Sequence, residues 1–171
     1  MNKPILAVDL DDVLCDFANP FLKFIAARGL KMMRADIRGS FTESGVPAEW
    51  IAEFSVSRTA DLAIVSGAGN SMRKLACAFS IIVVTARPLA AMPITFGWIR
   101  RMFPDILGIV RSEDKGRICR EINAVALIED QIRYARQFEN TYVLAQEWNL
   151  DWIGKRGTWN ATVEMLLTER N

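Results

Sequence analysis

The sequence predicts an α/β fold, a doubly wound parallel five-stranded sheet with a small helical cap inserted after the first strand. Apolar runs that are nearly continuous rather than alternating are typical of buried parallel strands. Segments with helical periodicity separate most of these runs. The first two runs lie roughly seventy residues apart, which is too far for one crossover, and this spacing indicates the insertion.

Five apolar runs are predicted as strands. They lie at 5–8, 79–84, 106–110, 124–128 and 141–144. A chain of 171 residues is of the size expected for one domain with a small insertion. We therefore expect residues 1–14 and 71–171 to form the core of the fold and residues 15–70 to form the cap.

Helices are predicted between the later strands and after the last one. Their apolar residues recur on one face at 93–102, 115–122 and 131–138. Thr158 has the character of an N-cap residue for a final helix that buries Val163 and Leu166.

The cap is predicted to contain two helices. Asn19 and Pro20 are suited to a cap and a first turn, and Gly29 is suited to the end of that helix. A second helix is expected after Pro47. We interpret residues 66–70 as the loop that returns to the core, because two of them are glycine.

Composition excludes several classes of protein. The chain has no histidine, which excludes a Ser-His-Asp triad and zinc bound by histidine. Its three cysteines fit neither a zinc pattern nor a disulfide framework. A net charge of +1 gives no general attraction to nucleic acid. We expect a cytoplasmic protein with no signal peptide, no membrane partner and no stable nucleic acid complex; the oligomeric state stays open.

Two carboxylates follow the first predicted strand. Asp9 and Asp11 are spaced i, i+2, so both side chains can project to one side at its end. Adjacent acids repel unless a cation or a proton lies between them. The pair therefore indicates a metal-dependent reaction site, although acidic residues also begin ordinary turns.

Further polar residues follow three later segments. Thr85 ends the second strand, Lys115 follows the third, and Glu129 with Asp130 ends the fourth. Each has an ordinary structural explanation, as a strand threonine, a solvated lysine or a helix cap. Ligands bind at the carboxyl ends of strands in open α/β sheets, so together with the first acids these residues predict one site.

The order of these motifs resembles the haloacid dehalogenase (HAD) superfamily of phosphotransferases. The resemblance depends on DLDDV at 9–13, IIVVT at 81–85, Lys115 and ALIED at 126–130. It implies a Rossmann-like core. Within the superfamily, the sequence is similar to the 5′(3′)-deoxyribonucleotidase-like group, through Phe17 after the first motif, the Thr-Ala-Arg-Pro turn at 85–88, Trp98 and a small helical cap.

The resemblance implies a Mg²⁺-dependent hydrolysis of phosphate monoesters. Asp9 would be the nucleophile that forms an aspartyl-phosphate, and Asp11 the general acid and then the general base. Thr85 and Lys115 would contact the phosphoryl group. The implied metal ligands are Asp9, the backbone carbonyl of Asp11, and Asp130, with Glu129 acting through a water molecule or from behind the ligands.

The substrate implied by the resemblance is a nucleoside monophosphate, and a deoxyribonucleotide in particular. Phe17 and Phe41 are candidates for stacking on its base, but aromatic residues also form the core of a small cap. Arg87 is expected either to bind phosphate or to pair with an acid. Asp12 replaces the glycine that many members have there, and it either tightens metal binding or faces solvent.

Two other hypotheses remain open. The same mechanism would serve a sugar phosphate or another small phosphoester. Alternatively, the chain would be a non-catalytic phosphate-binding or signalling protein, such as a receiver-like domain, which also combines acids, a threonine and a lysine on an α/β sheet. Acids at the ends of the first and fourth strands, together with an inserted cap, favour the phosphatase.

Overall fold

The computed structural model describes residues 3–37 and 39–169. Its strands are β1 (Ile5–Val8), β2 (Ser80–Thr85), β3 (Gly108–Arg111), β4 (Ala124–Glu129), β5 (Thr141–Leu144) and β6 (Lys155–Gly157). Within the described residues they form one six-stranded sheet in the order β3-β2-β1-β4-β5-β6. Every neighbouring pair is parallel.

Seven helices accompany the sheet in the described part of the chain. They are α1 (Ala18–Ala26), α2 (Ala48–Arg58), α3 (Ala68–Ala78), α4 (Met92–Met102), α5 (Lys115–Glu121), α6 (Ile132–Ala135) and α7 (Trp159–Glu169). The predicted α/β class is confirmed. The predicted helix at 131–138 is shorter than expected, since the chain has to return to the sheet by Thr141, where β5 begins.

Apolar residues of β1 alternate between two core layers. Leu6 and Val8 pack in the larger layer with residues of α3, α4 and α7. Ala7 packs in the smaller layer with Ile118 and Cys119 of α5. Helices thus cover both faces of the sheet, which explains why β1 carries an unbroken apolar run.

The five-strand expectation is wrong by one strand, because β6 extends the sheet beyond β5. The residues of β6 are Lys155, Arg156 and Gly157, and all three are half-buried. An edge strand has one paired side and one side open to solvent, so it does not need an apolar run. The apolar pattern that identifies the interior strands is therefore missing here.

The segment 66–70, which we expected to be a loop, contains the start of α3. Gly67 has a φ of +85°, and the helix begins at the next residue. The expected boundary between residues 70 and 71 thus falls inside a helix. We use "the inserted segment" below for residues 15–67. Residues 1–2 and 170–171 of the expected core, and residue 38 of the expected cap, lie outside the described residues.

Phenylalanine side chains form the centre of the inserted segment. The ring of Phe21 lies 4.6 Å from that of Phe41 and 5.1 Å from that of Phe54, both in edge-on arrangements. Burying one such side chain stabilises the fold by about 1.5–3 kcal/mol. None of the described helices has the length and apolar character needed to cross a membrane.

Candidate active site

The site lies where the strand order reverses between β1 and β4, the position at which open α/β sheets bind ligands. The backbone N–H of Asp9 donates to the carbonyl of Ile128 at 2.9 Å. This bond continues the pairing of β1 with β4 past Val8. It thereby brings Asp9 beside Glu129 and Asp130, which follow Ile128.

Lys115 connects two of these carboxylates. Its Nζ lies 2.6 Å from Oδ1 of Asp9 and 2.7 Å from Oε2 of Glu129. All three residues are buried. Burial alone would lower the pKa of Lys115, but the charges of Asp9 and Glu129 outweigh burial and raise it. The ammonium group therefore stays charged and fixes both acids in place.

Negative charge still exceeds positive charge in this cluster. Burial raises the pKa of Asp9 well above its ordinary value, and the charge of Glu129 adds to the rise, whereas Lys115 opposes it. Burial also raises the pKa of Asp130, and the charges of Glu129 and Asp9 raise it further. Three neighbouring carboxylates, of which only Asp9 and Glu129 contact the ammonium group, need a further proton or cation to balance them.

The residues present fit a divalent cation bound by oxygen ligands. One carboxylate oxygen from each of Asp9, Glu129 and Asp130 lies within 4.8 Å of the others. Oδ1 of Asp130 is buried and receives no hydrogen bond from the described residues, which suits a metal ligand.

Glu129 is the most heavily engaged of the three acids. Its Oε2 accepts from Lys115, and its Oε1 accepts from the backbone N–H groups of Asp130 and Gln131 at 2.9 and 3.0 Å. Asp9 and Asp130 are therefore better placed than Glu129 to bind a cation directly.

Asp11 is paired with Arg87. The Nε of Arg87 lies 3.1 and 3.0 Å from the two oxygens of Asp11, and Nη2 lies 2.5 Å from Oδ1. The remaining nitrogen donates to the hydroxyl oxygens of Thr59 and Thr95. Of the two roles expected for Arg87, the structure shows pairing with an acid, and its guanidinium group is not free to bind phosphate.

Thr85 and Asp12 occupy buried positions next to the acids. The Thr85 hydroxyl accepts from the backbone N–H of Arg87 at 3.3 Å. One of the two alternatives for Asp12 was that it faces solvent, and this is wrong, because Asp12 is buried. Its Oδ1 accepts from the backbone N–H groups of Phe17 and Ala18 at 3.2 and 3.0 Å, so it satisfies the first N–H groups of α1, the role that we had expected of Asn19.

Asp12 also has an unusual backbone conformation. Its φ is +56°, in the left-handed region that favours glycine and tolerates aspartate. This explains why glycine is suited to the position. Burial raises the pKa of Asp12 to about 7.

Phe17 and Phe41 line the site but are committed to the aromatic cluster. Only 4% of Phe17 and 9% of Phe41 is exposed. The ring of Phe17 lies 5.1 Å from that of Phe54 and 6.1 Å from that of Phe41. Both residues therefore serve mainly as the core of the inserted segment.

A cleft of about 570 Å³ opens above Asp9, Asp11 and Asp12, between the core and the inserted segment. Its walls include the predicted Asp9, Asp11, Phe17, Phe41, Thr85, Arg87 and Lys115, and also the unpredicted Ser40, Thr42, Glu49, Gln131, Arg133 and Tyr134. A larger groove of about 740 Å³ lies against α1 and α2 and contains none of the predicted catalytic acids.

Two arginines in the cleft wall were not predicted as site residues. Arg111 ends β3 beside Thr85. Its position at the end of an apolar run could therefore have identified it as a site residue from the sequence. Arg133 pairs with Glu43 at 2.9 Å, which joins the core to the inserted segment across the cleft. Nothing local in the sequence indicates that contact, because the partners are ninety residues apart.

Comparison with known proteins gives structural likeness alone. No family model matches the sequence, and no curated protein matches it. A haloacid dehalogenase-like hydrolase from Streptococcus pneumoniae superimposes with a TM-score of 0.67 at 9% identity, over 99% of each chain.

Two further solved structures were determined with phosphate. A HAD family hydrolase from Deinococcus radiodurans with bound phosphate and sodium has a TM-score of 0.61 at 13% identity, covering 98% of this chain and 96% of that one. CbbY from Rhodobacter sphaeroides, in complex with phosphate, has a TM-score of 0.60 at 14% identity, covering 91% and 93%. The chain therefore has the fold of the haloacid dehalogenase-like hydrolases.

Proposed function

We propose that this protein is a Mg²⁺-dependent phosphomonoesterase. The observation that carries the proposal is the buried cluster of Asp9, Lys115, Glu129 and Asp130, which has surplus negative charge and one carboxylate oxygen that receives no hydrogen bond from the described residues. Asp11 lies at the edge of the same cleft, with 24% of its side chain exposed. The phosphate bound by two proteins of this fold supports the choice of a phosphoryl substrate.

The acids divide the reaction between them. A carboxylate oxygen of Asp9 attacks phosphorus, and the bond from phosphorus to the ester oxygen breaks. Asp11 gives its proton to the departing alcohol. Asp11 then takes a proton from water, which attacks the aspartyl-phosphate, so that inorganic phosphate leaves and both carboxyl groups return to their starting states.

The other residues hold charge and position. Lys115 fixes Asp9 through Oδ1 and supplies positive charge beside the transferring group. Thr85 offers its hydroxyl to a phosphoryl oxygen. Asp9, Asp130 and the backbone carbonyl of Asp11 would hold Mg²⁺, which neutralises phosphoryl charge when bound. Arg87 holds the carboxylate of Asp11 through Nε and Nη2.

A nucleoside monophosphate, and a deoxyribonucleotide in particular, is the first proposed substrate. It is supported by the position of Phe17 and Phe41 in the wall of the cleft. A sugar phosphate or another small phosphoester is the second candidate. It is favoured by the burial of those two rings, which leaves little aromatic surface for a base.

A signalling role of the receiver type fits the topology less well. Receiver domains have the strand order 2-1-3-4-5, whereas this sheet has the order β3-β2-β1-β4-β5-β6. The inserted segment also forms one wall of the cleft. An open site that only accepts a phosphoryl group does not need such a wall. A catalytic role is therefore the stronger proposal.

Phosphate release is the decisive experiment. The wild type, Asp9→Asn and Asp105→Asn should be assayed with ribo- and deoxyribonucleoside monophosphates and with sugar phosphates, in Mg²⁺ or EDTA. Asp105 is an exposed acid away from the cleft, so its variant should keep wild-type turnover. Release that requires Mg²⁺ and is lost only in Asp9→Asn would support the mechanism, and the substrates turned over would decide between the two candidates. No release from any compound would contradict the proposal.

A further inference from the structure

A short turn after β5 holds Asp130 at two points. The indole Nε1 of Trp148 donates to Oδ2 of Asp130 at 2.9 Å. The side-chain amide of Asn149 donates to the backbone carbonyl of Asp130 at 2.7 Å and to the carbonyl of Leu144 at the same distance. Asn149 is fully buried. The turn therefore fixes both the backbone and the carboxylate of Asp130.

The two carboxylate oxygens of Asp130 are consequently not equivalent. Oδ2 is engaged by the indole, whereas Oδ1 is buried and has no donor among the described residues. Asp130 belongs to the cluster with Asp9 and Glu129, so Oδ1 is the oxygen left to serve as a ligand there. A hydrogen bond to one oxygen of a carboxylate sets the direction of the other, which is how contacts behind a ligand orient it toward a metal.

Arg34 of the inserted segment contacts the same turn. The guanidinium carbon of Arg34 lies 4.8 Å from the centre of the Trp148 ring. Arg34 also donates to the side-chain oxygens of Asn19 and Gln146, each at 2.8 Å. Gln146 in turn donates to the backbone carbonyl of Asp12 at 3.0 Å. The position of Trp148 is thus coupled to the inserted segment and to the loop after β1.

We propose that Trp148 is a positioning residue that presents Oδ1 of Asp130 to a divalent cation, and that Arg34 holds Trp148 in place. The inference rests on the proposed function, because it concerns the cation that the phosphatase mechanism needs. Trp148 touches neither the cation nor the substrate. It acts by removing the rotational freedom of Asp130 and by reserving one oxygen for metal binding.

Metal binding without substrate tests this role. The dissociation constant of Mn²⁺ should be measured by EPR, and that of Mg²⁺ by calorimetry, for the wild type, Trp148→Phe and Trp152→Phe. Trp152 is a matched control, since its indole nitrogen is buried but has no partner among the described residues. We expect Trp148→Phe to weaken binding by about tenfold and Trp152→Phe to change it by less than about twofold.

Three further measurements keep the test decisive. Turnover of Trp148→Phe should return toward the wild-type kcat when Mg²⁺ is raised above its new dissociation constant, which a general loss of structure would not allow. Arg34→Met, which removes the cation above the indole, should weaken metal binding by about two- to fivefold even if Trp148→Phe does not fold. Asp130→Asn should weaken binding more than either variant.

The outcomes separate the two proposals. If Asp130→Asn loses the metal while Trp148→Phe and Arg34→Met bind it as the wild type does, the positioning role is wrong and the proposed phosphatase stands. If the wild type binds no divalent cation and its turnover ignores EDTA, both the positioning role and the metal-dependent mechanism are wrong.

Discussion

Lys115 and Asp9 form a buried ion pair, with Nζ of the lysine 2.6 Å from Oδ1 of the aspartate. The lysine side chain is 1% exposed and that of the aspartate 6%, so water does not screen the pair. Glu129 shares the same ammonium group at 2.7 Å. Lys115 is therefore both the counter-charge that allows these acids to be buried and a cation in direct contact with the proposed nucleophile.

Replacing Lys115 with methionine should damage both stability and turnover. The change leaves two buried acids without their partner, so the free energy of unfolding at pH 7 should fall by about 3–5 kcal/mol. The loss of positive charge at the reaction centre should lower kcat by about 100-fold or more. Urea denaturation and phosphate release measure the two effects. Lys74→Met, at an exposed position of α3, is the control, and wild-type kcat in Lys115→Met would contradict the role.

The pair between Arg87 and Asp11 should show strong energetic coupling. Arg87 is 3% exposed, and its removal leaves Asp11 without its cationic partner and two threonine hydroxyl groups without the donor that Arg87 supplies, so Arg87→Met should lower the free energy of unfolding by about 3 kcal/mol. In a double-mutant cycle with Asp11→Asn, the coupling energy should exceed about 1 kcal/mol. Arg117→Met, which breaks an exposed pair within α5, should cost less than about 0.5 kcal/mol. Additive effects of Arg87→Met and Asp11→Asn would refute the coupling.

The interior of the fold and the acidic part of the site could be predicted because both depend on local sequence. Each interior strand is buried on both faces, and this produces the apolar run that identifies it. Asp9, Thr85 and Asp130 directly follow or end such strands, so the position of the strands determines the position of these residues. The edge strand β6 lacks this signal because half of its surroundings are solvent.

The remaining contacts depend on tertiary structure. Trp148 reaches Asp130 only because β5 and its following turn bring residues eighteen positions apart together. The sequence left two roles open for Arg87, phosphate binding and pairing with an acid. Its partner, Asp11, is seventy-six residues away in the sequence, so only the tertiary structure shows that the two residues pair. Asp12 was difficult to interpret for another reason, because its role depends on a positive φ that the residue type alone does not reveal.

Replacing Asp12 with asparagine should stabilise the protein in a pH-dependent manner. The pKa of Asp12 is about 7 in the fold, against an ordinary value of 3.8. Between these values the unfolded chain is ionised while the folded chain holds a proton, so folding becomes less favourable as pH rises toward 7. Asp12→Asn removes this cost. The gain in free energy of unfolding of Asp12→Asn over the wild type should be near zero at pH 4 and should grow up to pH 7. Above pH 7 it should level off, at no more than about 4 kcal/mol.

Urea denaturation in EDTA from pH 4 to pH 8 measures the advantage of Asp12→Asn. Asparagine keeps an oxygen for the N–H groups of Phe17 and Ala18 and tolerates the φ of +56°. Asp12→Ala is the matched comparison, since it also removes the charge but loses the acceptor and adds strain. It should be about 1–2 kcal/mol less stable than Asp12→Asn. An advantage of Asp12→Asn that does not vary with pH would show that the buried charge is not its cause.

Arg133 should affect substrate binding more than stability. Its ion pair with Glu43 joins the core to the inserted segment, but the two side chains are 38% and 50% exposed, so breaking it should cost less than about 1 kcal/mol. Because Arg133 lines the cleft, Arg133→Gln should raise KM for an anionic substrate several-fold with little change in kcat. Glu43→Gln breaks the same pair but keeps the arginine charge. Steady-state kinetics at low ionic strength should therefore show a raised KM in Arg133→Gln alone. An equal rise in both variants would instead assign the effect to the contact between the inserted segment and the core.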